Sequence, residues 1–199
     1  MRIIVAAALV ALSTAACVSV DVNETTEWSD MTPGDFGEAT LKNAAGATIG
    51  RAITTQGPRG LLIRVEADGL TPGWHGIHLH AQGDCSDAAF KSAGDHVNHA
   101  PQNRPHGLLN PEGPDAGDLP NVWADDQGWV RAEVFTTRAR IASDGPGEHL
   151  WDADGSAIVI HAKADDHITQ PIGGAGDRVA CGVLAAGEGR PAGRWRDPT

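Results

Sequence analysis

Basic charge, thiols and long apolar runs are all scarce in this chain of 199 residues, and each scarcity excludes something. The 15 lysines and arginines face 26 aspartates and glutamates, for a formal net charge of −11. A polyanion finds no footing on such a surface, so nucleic acid is excluded as a partner. An anionic substrate would need a local field that works against the net charge. Only the run at 3–12 is long and apolar, and it is too short to span a bilayer. No segment carries a convincing helical period, which excludes a helical fold. What remains, 41% apolar with 25 glycines, fits one loop-rich globular domain.

Arg2, the apolar run and then the small residues Ser13-Thr14-Ala15-Ala16 before Cys17 have the layout of a signal peptide over 1–16, which implies export to the periplasm. Thr14-Ala15-Ala16-Cys17 resembles the lipobox of bacterial lipoproteins, in which small residues precede a cysteine that becomes lipidated. Thr14 stands where that motif usually has leucine, so ordinary cleavage near the same point is the alternative to membrane attachment through Cys17. Cleavage would remove Arg2 and no acid, leaving the mature chain more acidic still. Three cysteines are an odd number for an exported protein. With Cys17 used as an anchor, Cys85 and Cys181 remain as an even pair, in a compartment that permits a disulfide. Such a bridge would close a long loop, worth roughly 4 to 5 kcal/mol on the chain-entropy account.

Beyond the signal, 17–36 is polar and reads as a tether, 37–185 as the folded domain, and 186–199 as a flexible tail without an assignable role. Within the domain, short apolar segments alternate with glycine and aspartate turns, predicting strands at 38–42, 47–54, 61–67, 75–81, 121–124, 129–135, 157–161 and 178–184. That pattern is an all-β, antiparallel sandwich or barrel. Asn43-Ala44-Ala45-Gly46 and Asp125-Asp126-Gln127-Gly128 are predicted hairpin turns. The connections at 82–120 and 162–177 are far longer than a hairpin needs, and loops of that kind carry function. They contain His96, His99, His106, Asp115 and Asp118, and the second leads directly to Arg178.

The most informative chemistry is the set His78-x-His80, His96 and His161, with Arg178 three residues before Cys181. Side chains on a strand alternate, so His78 and His80 share one face while Ile77 and Leu79 take the other. Four imidazoles without a thiolate favour a tetragonal copper site. An arginine beside it, always charged, draws in a small anion. His75 falls in register with Ile77 and Leu79 and is expected to be a hydrogen-bonded structural histidine rather than a ligand. His149 and His167 are expected at the surface.

Five stretches carry a resemblance: His75-Gly76-Ile77-His78-Leu79-His80, Ser92-Ala93-Gly94-Asp95-His96-Val97-Asn98, Gly117-Asp118-Leu119-Pro120-Asn121, Val159-Ile160-His161-Ala162-Lys163-Ala164-Asp165-Asp166, and Gly174-Ala175-Gly176-Asp177-Arg178-Val179-Ala180-Cys181-Gly182-Val183. In this order they resemble the copper-zinc superoxide dismutases of the bacterial secreted branch. The resemblance implies an eight-stranded Greek-key barrel and dismutation of superoxide by copper redox cycling. It implies copper on His78, His80, His96 and His161, with His96 bridging to zinc and acting as proton donor. Asp165 then matches the carboxylate that links ligands of the two metals, and Arg178 the arginine that guides the anion. Cys85 and Cys181 match the disulfide that pins the long loop. A homodimer is left open beside a monomer.

The zinc set departs from the family pattern of three histidines and one aspartate. His96, His106 and Asp118 match, but the remaining histidine position is Asp115. A carboxylate is an acceptable zinc ligand, so a two-His, two-Asp site is chemically sound. It carries one more negative charge, which shifts its preference toward harder metals. His99, where the motif commonly has proline, is the other candidate to complete that set. If neither does, a copper-only dismutase follows. An exported copper-binding or copper-buffering protein on the same scaffold is the reading from another class, and it would have no use for Arg178.

Overall fold

The structure is a computed structural model that describes residues 36–99 and 103–187. The signal peptide, Cys17, the tether up to residue 35 and the tail from residue 188 lie outside the described residues.

β1 (Phe36–Asn43) and β2 (Thr48–Gly57) form the first hairpin. Its turn is closed at Asn43, whose carbonyl accepts from Gly46 N at 2.8 Å while its side chain accepts from Ala45 N and Ala47 N. β3 (Gly60–Ala67) alternates cleanly. Leu61, Ile63 and Val65 are buried, while Arg64 and Glu66 point outward to ion-pair with Glu133 and Arg51 on the neighbouring strands. The chain continues through β4 (Gly73–His75), β5 (Ile77–His80), β6 (Val122–Ala124) and β7 (Val130–Thr136). A two-residue parallel pair, β8 (Ala139–Arg140) with β9 (Glu148–His149), precedes β10 (Ser156–His161) and β11 (Arg178–Ala186).

Nine of these strands form one sheet in the order β4-β6-β7-β3-β2-β1-β11-β10-β5, antiparallel throughout. The two edge strands, β4 and β5, are consecutive in the chain and separated by Gly76 alone. The sheet therefore curls until its edges meet, as a barrel requires. Counted as one interrupted strand, β4 and β5 make the eight-stranded Greek-key barrel expected from the sequence. The predicted strand at 75–81 is thus two, broken where Gly76 turns to donate to Lys163 O and accept from His161 N, both at 2.8 Å. The pair β8–β9 was not anticipated, since two-residue strands leave no periodicity to detect.

Leu41, Ile63, Val65, Leu79, Ile158 and Ile160 are wholly buried inside the barrel. The opposite face of β10 is not solvated either. Ala157 and Val159 there pack with Phe90, Ala93 and Cys181 into a smaller apolar cluster beneath the first long loop. The disulfide Cys85–Cys181, with Cα atoms 5.8 Å apart, fastens that loop to β11. His78 and His80, expected to face outward, do leave the barrel interior. The loop covers them, however, and both are fully buried.

Candidate metal centre

The register brings the distant histidines together. On β5 and β10, His80 pairs with Ala157 and His78 with Val159, which places both imidazoles on the β10 face that ends in His161. The other edge of β5 is taken by the first long loop rather than left open. Val97 N donates to Leu79 O, Leu79 N to Gly117 O and Gly117 N to Val97 O, each at 2.9 Å. Isolated bridges of His80 with His96 and His78 with Asp118 result. Gly117 permits this approach, because a Cβ there would stand 2.4 Å from Leu79 O. A β-bulge between Ile160 and His161 makes Arg178 the cross-strand partner of His161.

The ring nitrogens sort into held and free atoms. His78 Nε2 donates to Asp165 Oδ2 at 2.8 Å, His80 Nδ1 to Gly94 O at 2.8 Å, and His161 Nδ1 to Gly176 O at 3.1 Å. The opposite nitrogens of these rings, Nδ1 of His78 and Nε2 of His80 and His161, are buried without any partner, as is Nε2 of His96. Buried polar atoms left unpaired cost free energy, so neighbouring ones of this kind call for a cation. Ligand atoms of His78, His80 and His161 lie within 4.8 Å of one another. The His96 ring sits 4.2 Å from that of His78 and 5.2 Å from that of His80.

A second cluster adjoins the first. Ligand atoms of His96, His106, Asp115 and Asp118 also lie within 4.8 Å of one another, and all four residues are buried. Here His96 presents its other nitrogen: Nδ1 donates to Asp115 Oδ2 at 3.1 Å and lies 3.6 Å from Asp118 Oδ1. His96 thus offers one nitrogen to each cluster. Asp115 Oδ1 has no hydrogen-bond partner, and His106 Nδ1 and Asp118 Oδ1 face each other as an ion pair at 2.5 Å. The remaining oxygen of Asp118 accepts from Gly107 N at 2.7 Å and Asp115 N at 2.9 Å. Between the clusters stands Asp165, taking His78 on Oδ2 and His106 Nε2, at 3.1 Å, on Oδ1.

The two clusters differ in charge. Burial pushes His78 down to about 3 and His161 down to about 4, and it also lowers His80 far below its ordinary value. All three stay neutral, with a lone pair available to a metal. At His106 burial acts downward too, but the carboxylates of Asp118 and Asp165 outweigh it and raise the ring to about 10. Burial, outweighed by Asp115 and Asp118, likewise leaves His96 raised. The first cluster is therefore a neutral imidazole donor set, and the second one whose carboxylates draw positive charge onto its histidines.

Arg178 stands beside the first cluster with its guanidinium fixed. Nη1 donates to Phe90 O at 2.6 Å, and Nη2 to Gly94 O at 2.7 Å, the carbonyl that also holds His80. With Lys91, Asp177 and Gly176 it lines a cleft of about 570 Å³.

Every residue proposed from the sequence for a metal lies in one cluster or the other, except His99. Its side chain is 39% exposed and ion-pairs with Glu148 at 3.1 Å, while Asp115 occupies the position in the cluster. His75 is no ligand, as expected: its ring spans His161 O at 2.6 Å and Thr71 O at 2.7 Å. His149 is half-buried in β9. His167 is half-buried as well and packs against Asp165, with Nδ1 3.4 Å from Oδ2. Sequence reasoning also missed Asn121, whose amide clamps the backbone of Asp165 through Oδ1 at 2.9 Å and Nδ2 at 2.8 Å. Arg138, equally unforeseen, donates to the carbonyls of Asp115 and Asp118. The only signal for Asn121 was its place at the end of a shared motif.

An antiparallel barrel whose outer face carries two adjoining imidazole and carboxylate clusters, joined through one histidine, defines a narrow class of protein. A model of the copper/zinc superoxide dismutase family matches residues 48–184, and the chain belongs to that family. A copper-zinc superoxide dismutase from Caulobacter vibrioides is 50% identical over 146 residues, covering 73% of this chain and 83% of that protein. A second relative, from Aquifex aeolicus, is 43% identical over 147 residues, covering 73% of this chain and 84% of its own length. Among solved structures, a double mutant of a superoxide dismutase-like protein from Bacillus subtilis superposes with a TM-score of 0.70 at 38% identity, covering 75% of this chain and 98% of that one.

Proposed function

We propose that this protein dismutates superoxide, with copper held by His78, His80, His96 and His161 and zinc held by His96, His106, Asp115 and Asp118. Two superoxide anions and two protons give dioxygen and hydrogen peroxide. The observation that carries the reading is four buried, unpartnered imidazole nitrogens on neighbouring rings, His78, His80 and His161 with ligand atoms within 4.8 Å of one another and His96 beside them, each on a ring whose other nitrogen is held by a carboxylate or carbonyl. When bound, copper supplies a one-electron couple that takes an electron from one superoxide and returns it to the next, and zinc supplies fixed positive charge.

The chain's own groups do the rest. Arg178, held by Phe90 O and Gly94 O, lines the cleft with its positive charge and draws the anion in against the net charge. His96 holds its ring in the second cluster through Nδ1, so Nε2 is free to carry a proton and hand it to the departing peroxide. Asp165 keeps the free nitrogens of His78 and His106 aimed inward. A copper-only enzyme is the second reading. One observation favours it: Asp115 Oδ2 already accepts from His96 Nδ1 at 3.1 Å, which orients that ring without zinc.

Metal analysis of the purified protein, with a superoxide assay on the same sample, tests both. Copper and zinc in equal amounts with activity is the expected result. Full activity with copper alone selects the second reading, and inactivity after copper loading sinks both. Arg178→Ala should lower the rate about tenfold or more while copper content stays unchanged, a result that a copper-buffering protein would not give. Export, with Cys17 lipidated, is proposed on the N-terminal segment alone; it predicts that Cys17→Ser moves the protein from the membrane to the soluble fraction.

A further inference from the structure

His167 has no part in the reading above, yet it lies against the carboxylate that joins the two clusters. Its backbone is left-handed, φ 64°, a conformation that costs a side chain with a Cβ on the order of 1–2 kcal/mol and that glycine adopts freely. The turn lets the backbone N–H of His167 donate to Asp165 Oδ1 at 2.6 Å while its ring folds back toward Oδ2 of the same carboxylate. The carbonyl of His167 accepts from Leu109 N at 3.0 Å, so the residue also anchors the loop that delivers His106.

Asn121 determines which ring nitrogen carries the proton. Its Oδ1 accepts from Asp165 N and its Nδ2 donates to Asp165 O, and these two bonds leave the amide one orientation. The atom that lies 3.2 Å from His167 Nε2 is therefore a nitrogen with a hydrogen to give, and Nε2 must accept. A neutral imidazole that accepts on one nitrogen is protonated on the other. The Nδ1 proton then faces Asp165 Oδ2, the oxygen that takes His78.

We propose that His167 is a positioning residue that acts through Asp165: its backbone N–H binds Oδ1, and its ring, held by Asn121, stands with a buried Nδ1 3.4 Å from Oδ2. This rests on the assignment of the two clusters to copper and zinc. Turning the Asp165 carboxylate part-way about its Cβ–Cγ bond would take both oxygens away from His78 and His106 at once. With His167 N on Oδ1 and its ring beside Oδ2, the plane of the carboxylate is kept, and with it the orientation of the His78 and His106 rings.

Nitrogen-15 NMR of the metal-free protein reads the tautomer directly. A protonated Nδ1 with an unprotonated Nε2 is expected, and a proton on Nε2 overturns the proposal whatever the metals do. H167G removes the ring and relieves the backbone. It should leave the thermal midpoint of the metal-free protein close to the parent's, while a chelator strips copper(II) and zinc(II) at about tenfold lower concentration and the copper EPR spectrum changes. An unchanged chelator midpoint with an unchanged EPR spectrum overturns the positioning role. If the parent protein takes up neither metal, the two-metal assignment fails and this role with it; that failure is distinguishable, because the tautomer is read without metal.

Discussion

A methyl group added at Gly173 would stand 1.6 Å from Oδ1 of Asp165, in a backbone already left-handed at φ 58°. Gly174 has nearly the same backbone, φ 68°, but nothing within 4 Å. The two glycines separate strain from displacement. Gly174→Ala should cost about 1 kcal/mol in denaturant unfolding through strain alone and leave metal binding intact. Gly173→Ala must also move Asp165, and it should weaken copper and zinc retention about tenfold in competition with a chelator. Equal metal retention in the two variants would count against Asp165 as the link between clusters. At this scale the ligands were legible, because imidazoles and carboxylates at motif spacing have few other uses. Asn121 and Arg138 were not, because each acts by touching a residue far away in the chain, and His167 was not, because its ring is folded back on Asp165 by a left-handed backbone and held there by Asn121.

Among the elements, β5 is the one on which the site depends. It closes the barrel on one side, and on the other its edge is taken by loop segments that carry His96 and Asp118. Unpaired strand edges are liabilities, and this one is satisfied by the same hydrogen bonds that assemble the centre. The Cys85–Cys181 disulfide holds the loop in place across a sequence separation of 96 residues. Replacing both cysteines by serine should lower the unfolding free energy by about 4 kcal/mol, measured by chemical denaturation under oxidising conditions. A loss under about 1 kcal/mol would mean that the loop is held by its packing over Ala157 and Val159 instead. The long strands could be placed from alternation alone. The break at Gly76 and the bulge before His161 could not, because each is set by what the neighbouring strand or loop presents.

For the molecule as a whole, the two clusters leave unpaired buried atoms that metal would satisfy, so metal binding and folding are coupled. Stripping the metals with a chelator should lower the thermal midpoint by about 10 °C, taking a ligand present at roughly a thousand times its dissociation constant. An unchanged midpoint would show that the clusters are satisfied without metal. Much had been determined by the amino-acid sequence alone: an all-β barrel, from alternation and the want of helical period, and a copper-type donor set, from four histidines without a thiolate. It also marked Asp115 as the departure in the second cluster. Which nitrogen of each ring is free, whether Asp115 or His99 enters the cluster, and the burial that keeps three imidazoles neutral were decided by tertiary structure. The physical reason is that residue type and spacing are local properties, whereas a lone pair's direction and a group's solvation are set by atoms brought from across the chain.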